Sequence, residues 1–273
     1  MQVKNSYLAY FLNEYWFIPS DVLQRGIEAN IWDLCKFKKS VLDIGIGDGK
    51  MSNFIFKNSP RIDVGIDSEK SGLEAARKTK KYIRVQHVNA ENMPFKNSMF
   101  NTIVSNSTFE HISNDKKAVF EAARVLRKNG SFYITVPSEY LQNWILEYEK
   151  QKDRASAKKN LSKFNKRANH LHYRTLNDWR KIFDANNLEI TFYKYYFPKK
   201  IALFWYKLFK IFTHRFGDRE TWSIIGDSKL TNFLPRSIII YFLKNVLLKN
   251  AYENGFFVDS GVGAQLFIIA RKI

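Results

Sequence analysis

Val41-Leu42-Asp43-Ile44-Gly45-Ile46-Gly47-Asp48-Gly49-Lys50 decides the fold. Val-Leu-Asp-Ile reads as the end of a strand buried on both faces, as in a parallel sheet. Three glycines follow at alternate positions, and Met51 to Phe56 then places apolar residues at helical spacing. A strand, a glycine turn and a helix present backbone N–H groups and a helix N-terminus to a nucleotide-like ligand. Glycine suits such a turn because it reaches positive φ and lets a ligand approach the backbone.

The spacing is Gly-x-Gly-x-Gly rather than the Gly-x-Gly-x-x-Gly of dinucleotide sites, and Asp43 stands two residues before the first glycine. A carboxylate there repels a pyrophosphate but can pair with a cationic amino-acid head, which favours S-adenosylmethionine over NAD. The plainer alternative is a tight strand-to-helix connection. Three further runs extend the pattern. Val64-Gly65-Ile66-Asp67 is a second strand ending in an acid, placed where an α/β nucleotide fold binds ribose hydroxyls. Val85 to Phe95 and Phe100 to Ile112 supply the third and fourth.

In this order and at these intervals the four runs resemble the class I S-adenosylmethionine-dependent methyltransferases, in particular the methyltransferase type 11 group, over residues 38–140. The resemblance implies an α/β fold with a seven-stranded Rossmann-like sheet, mostly parallel with an antiparallel last strand, and helices on both faces. It implies that Asp43, Gly45, Ile46, Gly47, Gly49, Asp67, Ser68, Asn89, Ala90, Glu91, Asn106 and Ser107 surround the cofactor, S-adenosyl-L-methionine. The family usually has Asp-Ala where this chain has Asn89-Ala90. An Asn carbonyl oxygen accepts the same hydrogen bond from the adenine amino group without charge, so weaker adenine recognition is expected.

The chain has 273 residues, enough for one α/β domain with an elaboration. Its one cysteine, Cys35, rules out an internal disulfide framework and a cysteine-based zinc site, and a reducing cytoplasm is the simplest setting. Met1 to Ser6 lacks the features of a secretory leader, and no apolar run approaches the ~20 residues of a spanning helix. The net charge of +18 is uneven: 20 basic against 15 acidic residues gives +5 in residues 1–140, and 24 against 11 gives +13 in 141–273. An anionic partner would therefore dock on the second half.

Outward from the glycine turn, residues 7–35 of the N-terminal segment 1–37 read as two helices broken at Pro19, with Ser20-Asp21 as a cap for the second. The resemblance makes this segment a lid over the cofactor that touches substrate, with Tyr7 and Tyr10 as candidate contacts. Residues 38–197 and 262–273 form the methyltransferase domain. Crossover helices are expected over Gly72–Lys80 and Lys116–Arg127, the latter stopped by Asn129-Gly130, before a fifth strand Ser131–Pro137. The last strand is Ala264–Ala270.

Between the last two strands lies an insertion, residues 198–261, with two wide apolar helices that each carry a basic stripe. Residues 200–214 and 237–249 either pack on each other or rest on an anionic membrane surface, which would make the protein peripheral at the inner membrane face.

Methyl transfer to a hydroxyl calls for a nearby base. The candidates are His111, just past the fourth strand, and His170 and His172, which alternation would point the same way if their segment is extended. Each could equally serve a structural role. Tyr173 is a further candidate substrate contact. No spacing of carboxylates and histidines reads as a metal site.

Three functions compete: O-methylation of a small, glycan or lipid-linked hydroxyl acceptor, methylation of RNA through the basic half, and a membrane-bound scaffold without catalysis. A loose likeness to methyltransferases from bacterial surface-polysaccharide contexts favours the first. The absence of a Pro-Pro-aromatic run at Asn106-Ser107-Thr108-Phe109, and of any RNA-binding appendage, weighs against nucleic acid.

Overall fold

The computed structural model describes residues 4–59, 61–227, 235–258 and 261–273. Met1-Gln2-Val3, at the start of the chain, and residues 228–234 and 259–260 of the insertion lie outside the described residues. Along the chain come α1 (Asn5–Tyr15), α2 (Pro19–Trp32), β1 (Val41–Ile44), α3 (Ser52–Ile55), β2 (Ile62–Asp67), α4 (Leu73–Lys78) and β3 (Tyr82–His87). Next are β4 (Phe100–Asn106), a 3-10 turn (Phe109–His111), α5 (Asp115–Val125), β5 (Leu126–Pro137), α6 (Glu139–Lys152), α7 (Ala157–Ala168), α8 (Leu176–Asp184) and β6 (Leu188–Tyr196). After these follow α9 (Lys199–Phe212), the two-residue strands β7 (Arg215–Phe216) and β8 (Arg219–Glu220), and α10 (Thr221–Asp227). A helical run, Arg236–Phe242, Leu243–Leu248 and Lys249–Asn254, precedes β9 (Gln265–Lys272), and its middle portion is π-helical.

These elements form two compact units, Cys35–Tyr196 with Val258–Ile273, and Met1–Leu34 with Phe197–Phe257. The first is a seven-stranded sheet in the order β3-β2-β1-β4-β5-β9-β6. All neighbours up to β5 are parallel, and β9 runs antiparallel to both β5 and β6. This is the expected mixed sheet with a returning last strand. β1 is buried along its whole length because strands flank it on both edges and helices cover its faces. Leu42, Ile44, Val64, Ile66, Ile103, Phe132, Ile134, Leu266 and Ile268 make the core of the sheet. Parallel connections place the C-terminal ends of β1, β2, β3 and β4 on one edge.

One boundary differs from the sequence expectation. Asn129-Gly130 does not stop the helix; α5 ends at Val125 and Leu126 enters β5 at once, with φ −76° and ψ 136°. Leu126 pairs with Phe100, and the next pair is Ser131 with Thr102, so residues 127–130 form a bulge. Asn129 takes up that extra length in the left-handed region, at φ +62°. The sheet register, set by the burial of Leu126, overrides the local stop signal.

The second unit joins the N-terminal helices to the insertion, segments that the sequence reading treats apart. Leu8, Phe11, Leu12, Val22, Leu23 and Ile27 are fully buried, α2 packs on α9, and Ala202, Trp205 and Tyr206 of α9 are buried. Tyr252 accepts from Asn30 Nδ2 at 2.5 Å and donates to the Lys4 carbonyl at 2.7 Å. Pro19 is the first residue of α2 and Ile18 its cap, so Ser20 and Asp21 lie inside the first turn rather than capping it. Proline without an N–H fits that position. Among the described residues no helix is long and apolar enough to cross a membrane.

The entry to α5 is fixed by an ion pair. Arg174 Nη2 donates to Asp115 Oδ1 at 2.7 Å while its Nε bonds the other oxygen, and the Asp115 side chain is 2% exposed. Removing the guanidinium leaves a buried carboxylate without its main counter-charge. Arg174→Ala is expected to lower unfolding free energy by about 3–5 kcal/mol in urea titration, and Arg174→Lys to recover only part, since an ammonium cannot make the two-pronged contact.

Candidate active site

The turn after β1 is built from left-handed glycines. Gly45 has φ +80°, and a Cβ there would lie 2.1 Å from Thr108 Oγ1, so Thr108 closes the turn against the end of β4. Gly47 has φ +51°, and a Cβ on it would meet nothing within 4 Å, so its outer side is open. Gly45 N–H donates to the Ile66 carbonyl at 2.8 Å, which binds the turn to β2.

Asp67 ends β2 at the rim of this turn. Its Oδ2 accepts from Gly47 N–H and its Oδ1 from Glu69 N–H, both at 2.8 Å. Each oxygen keeps a lone pair for a further donor, and the side chain is only half-buried. Beyond β3, Asn89 is exposed and Ala90 buried, and Asn89 Oδ1 accepts from Glu91 N–H at 2.8 Å. Glu91 Oε1 accepts from Asn114 N–H at 3.1 Å, and the Ser68 carbonyl bonds His87 Nε2 at 2.8 Å. Past β4, Asn106 Oδ1 accepts from Thr135 Oγ1 at 3.0 Å, and Ser107 has φ +46°. Ile46 is buried, with its side chain against Gly65 of β2.

Asp43 has a different setting from the one its position at the strand end suggests. It is 2% exposed, and Oδ2 accepts from Ser52 Oγ at 3.0 Å and from the Tyr82 hydroxyl at 2.6 Å. Burial pushes its carboxyl up to about 6 against the pull of those two hydroxyls, and it pushes the Tyr82 phenol up as well. Its bonds bind β1 to β3 and α3 beneath the glycine turn. Tyr82 lies 39 positions from Asp43, beyond the reach of any local pattern, and Ser52, nine positions on, carries no motif that marks it as a partner.

The histidines divide. His111, on the 3-10 turn that follows Thr108, bonds the Asn169 carbonyl through Nδ1 at 2.8 Å. His170 bonds the Tyr173 hydroxyl through Nδ1 at 2.8 Å, and Tyr173 in turn donates to Asn165 Oδ1 at 2.9 Å. The two imidazole rings lie 5.4 Å apart, and burial holds both below the usual histidine range, His170 at about 3. His172 does not join them: its Nε2 donates to the Ile112 carbonyl at 2.9 Å. Alternation fails because Asn169 ends α7 in the left-handed region, at φ +53°, and Leu171 N–H is held by the Glu110 carbonyl at 2.8 Å.

Glu110, His111 and His170 each bring one potential ligand atom within 4.8 Å of the others. The sequence shows Glu110-His111, but its partner is 59 positions away, so spacing alone could not reveal the group. Of the tyrosines, Tyr173 is engaged by His170 and Asn165 as above. Tyr7 is 5% exposed in the other unit, with burial raising its phenol to about 12, and Tyr10 there is half-buried with its ring edge-on to Phe11. Cys35 has a thiol pushed up to about 12 by burial, which makes it a poor nucleophile.

Residues 42–134 match the family described as "Methyltransferase domain". Over these residues the chain carries a methyltransferase domain. The chain is 28% identical over 163 residues to the uncharacterised methyltransferase YcgJ of Bacillus subtilis, covering 56% of this chain and 58% of that protein. It is 29% identical to the uncharacterised protein MJ1123 of Methanocaldococcus jannaschii, over 66% of this chain and 82% of that one. A crystal structure of an S-adenosylmethionine-dependent methyltransferase from Thermotoga maritima superposes with a TM-score of 0.54 at 17% identity, covering 98% of this chain and 99% of that one. The open glycine turn and the rim carboxylate of the methyltransferase domain fit a ribonucleoside cofactor.

Asp43 gives this domain a pH signature. Its folded pKa, near 6, lies above the ordinary carboxylate value, so between about 4 and 6 the folded state holds a proton that the unfolded chain has lost. The stability from that proton is full below about pH 4 and lost as pH rises through about 6. Asp43→Asn is therefore expected to match the parent protein near pH 4 and to exceed it by about 3 kcal/mol at pH 7.5. Urea unfolding without cofactor at the two pH values reads the difference; equal gaps at both would contradict this assignment.

Proposed function

We propose that the chain methylates the hydroxyl oxygen of a small, glycan or lipid-linked acceptor, with S-adenosylmethionine as donor. Bound, that cofactor supplies an electrophilic methyl group on a cationic sulfur. Asp67 would hold the ribose hydroxyls, Asn89 the adenine amino group, and the Gly45–Gly49 turn the amino-acid end. Alignment and exclusion of water then account for most of what a protein must add to such a displacement.

The observation that carries the choice of acceptor is the imidazole pair beside the end of β4. A carbonyl only accepts, so His111 must carry its proton on Nδ1 to bond Asn169, which leaves Nε2 as a bare lone pair. Tyr173 spends its proton on Asn165, so His170 must likewise donate from Nδ1, and its Nε2 is bare as well. Two bare acceptors near the cofactor edge suit a substrate group with a proton to give, as a hydroxyl has.

A lipid-linked acceptor is supported by a separate feature. Ile238, Tyr241, Phe242 and Val246 fall at helical spacing in the run from Arg236 and are 51%, 66%, 52% and 65% exposed. An apolar face of this kind, with Lys207, Lys210 and Lys244 in the same unit, suits the interface of an anionic bilayer.

Two measurements test the reading. Calorimetry with S-adenosylhomocysteine should show one site, weakened at least tenfold in Asp67→Asn; absence of any heat with a folded protein would remove the cofactor assignment. Sedimentation with anionic liposomes should carry the protein down at low salt and fail when Lys207, Lys210 and Lys244 are changed to Glu. Equal sedimentation of that triple variant would remove the membrane part.

A further inference from the structure

We propose that Glu110, His111 and His170 form a binding site for a divalent transition-metal cation. The group combines two imidazole nitrogens with one carboxylate, and its three candidate ligand atoms lie within 4.8 Å of one another. A cation among them would draw the three side chains inward by a few tenths of an ångström to bonding lengths of about 2.0–2.2 Å. Two nitrogens and one oxygen are the donors preferred by zinc, manganese, iron or cobalt rather than by magnesium or calcium, which favour oxygen alone. Three protein ligands leave at least one position for water or a substrate oxygen.

The surroundings are those of a prepared site. Both imidazoles present Nε2 as a lone pair because their Nδ1 protons are committed, one to the Asn169 carbonyl and one to the Tyr173 hydroxyl. Fixing the far nitrogen in this way sets tautomer and ring orientation in metal-ligating histidines. Tyr173 is itself oriented by Asn165, so the chain of bonds runs two residues deep behind His170. The backbone is tied across the same gap: Leu171 N–H donates to the Glu110 carbonyl at 2.8 Å. Glu110 is 3% exposed, so its carboxylate is already removed from water. Among the described residues neither His111 nor His170 Nε2 makes a hydrogen bond. His172, by contrast, spends Nε2 on backbone carbonyls and stays outside the group.

The site adjoins the cofactor edge, since His111 N–H donates to the Thr108 carbonyl at 2.9 Å and Thr108 packs against Gly45. A cation there would take up both imidazole lone pairs. In that state the acceptor oxygen would bind the cation directly, and its hydroxyl, made more acidic, would lose its proton to water instead of to a histidine. That consequence rests on the proposed methyl transfer, whereas cation binding itself does not.

The test uses the full-length protein, stripped with a chelator and free of cofactor. Cobalt(II) is titrated and its visible absorption recorded, with manganese(II), zinc(II) and magnesium(II) compared by calorimetry. The expected result is one tight site for cobalt, manganese or zinc, with magnesium at least tenfold weaker. His170→Ala and Glu110→Gln should each weaken cobalt binding at least tenfold, while His87→Ala and His214→Ala, which change histidines outside the group, should leave it unaltered. Should the variants unfold, a rise in the parent protein's melting temperature on adding cobalt gives the same answer without them. No saturable cobalt site, or one lost with His87 or His214 and kept without His170, overturns the proposal. Homocysteine-nucleoside binding measured on the same stripped protein separates the two readings: heat with that ligand alongside failed cobalt binding removes the metal site and leaves the methyltransferase reading standing.

Discussion

The buried carboxylate of Asp43 is the constraint on which the methyltransferase domain depends. It sits in the strand that is flanked on both edges, and it draws hydroxyls from β3 and α3 onto one oxygen. A charge so deeply placed is costly to maintain without such donors. The bonds hold β1, β3 and α3 in a fixed relation, and the glycine turn emerges from that junction. The ligand-facing edge is thus shaped from below by groups that do not themselves reach it.

A second layer of control comes from β4. Thr108 fills the space that a side chain on Gly45 would need, and the next three residues make a tight turn that delivers Glu110 and His111. The segment after α7 returns to meet them through the Leu171 and Asn169 backbone. One strand end therefore serves two purposes. It closes the glycine turn, and it brings Glu110 and His111 against the segment that follows α7.

The sequence carried the sheet and the order of its first strands because each ends in a residue type with a local meaning: glycine after β1, Asp67 after β2, Asn89 after β3. Such signals need only a few neighbouring residues. What stayed hidden was non-local. The pairing of Tyr82 with Asp43 spans 39 positions. Asn129-Gly130 carries a strong local stop signal, yet the pairing of Leu126 with Phe100 decided how the chain used it. His170 and His172 look equivalent in an extended segment, and only the left-handed turn at Asn169 separates their roles. The packing of α2 on α9 joins segments about 170 residues apart, beyond the reach of any periodicity.

The place of β9 has a consequence for synthesis on the ribosome. Among the described residues β6 has no neighbour in the sheet except β9, and 68 residues separate Tyr196 from Gln265. While those residues are being made, β5 keeps a raw hydrogen-bonding edge and β6 has nothing to pair with. Closing so long a loop adds little entropic cost compared with a short one, but the delay is unavoidable. The nascent chain is most vulnerable to edge-to-edge aggregation during that interval, and β9 ends it by wedging in as the last strand of the sheet.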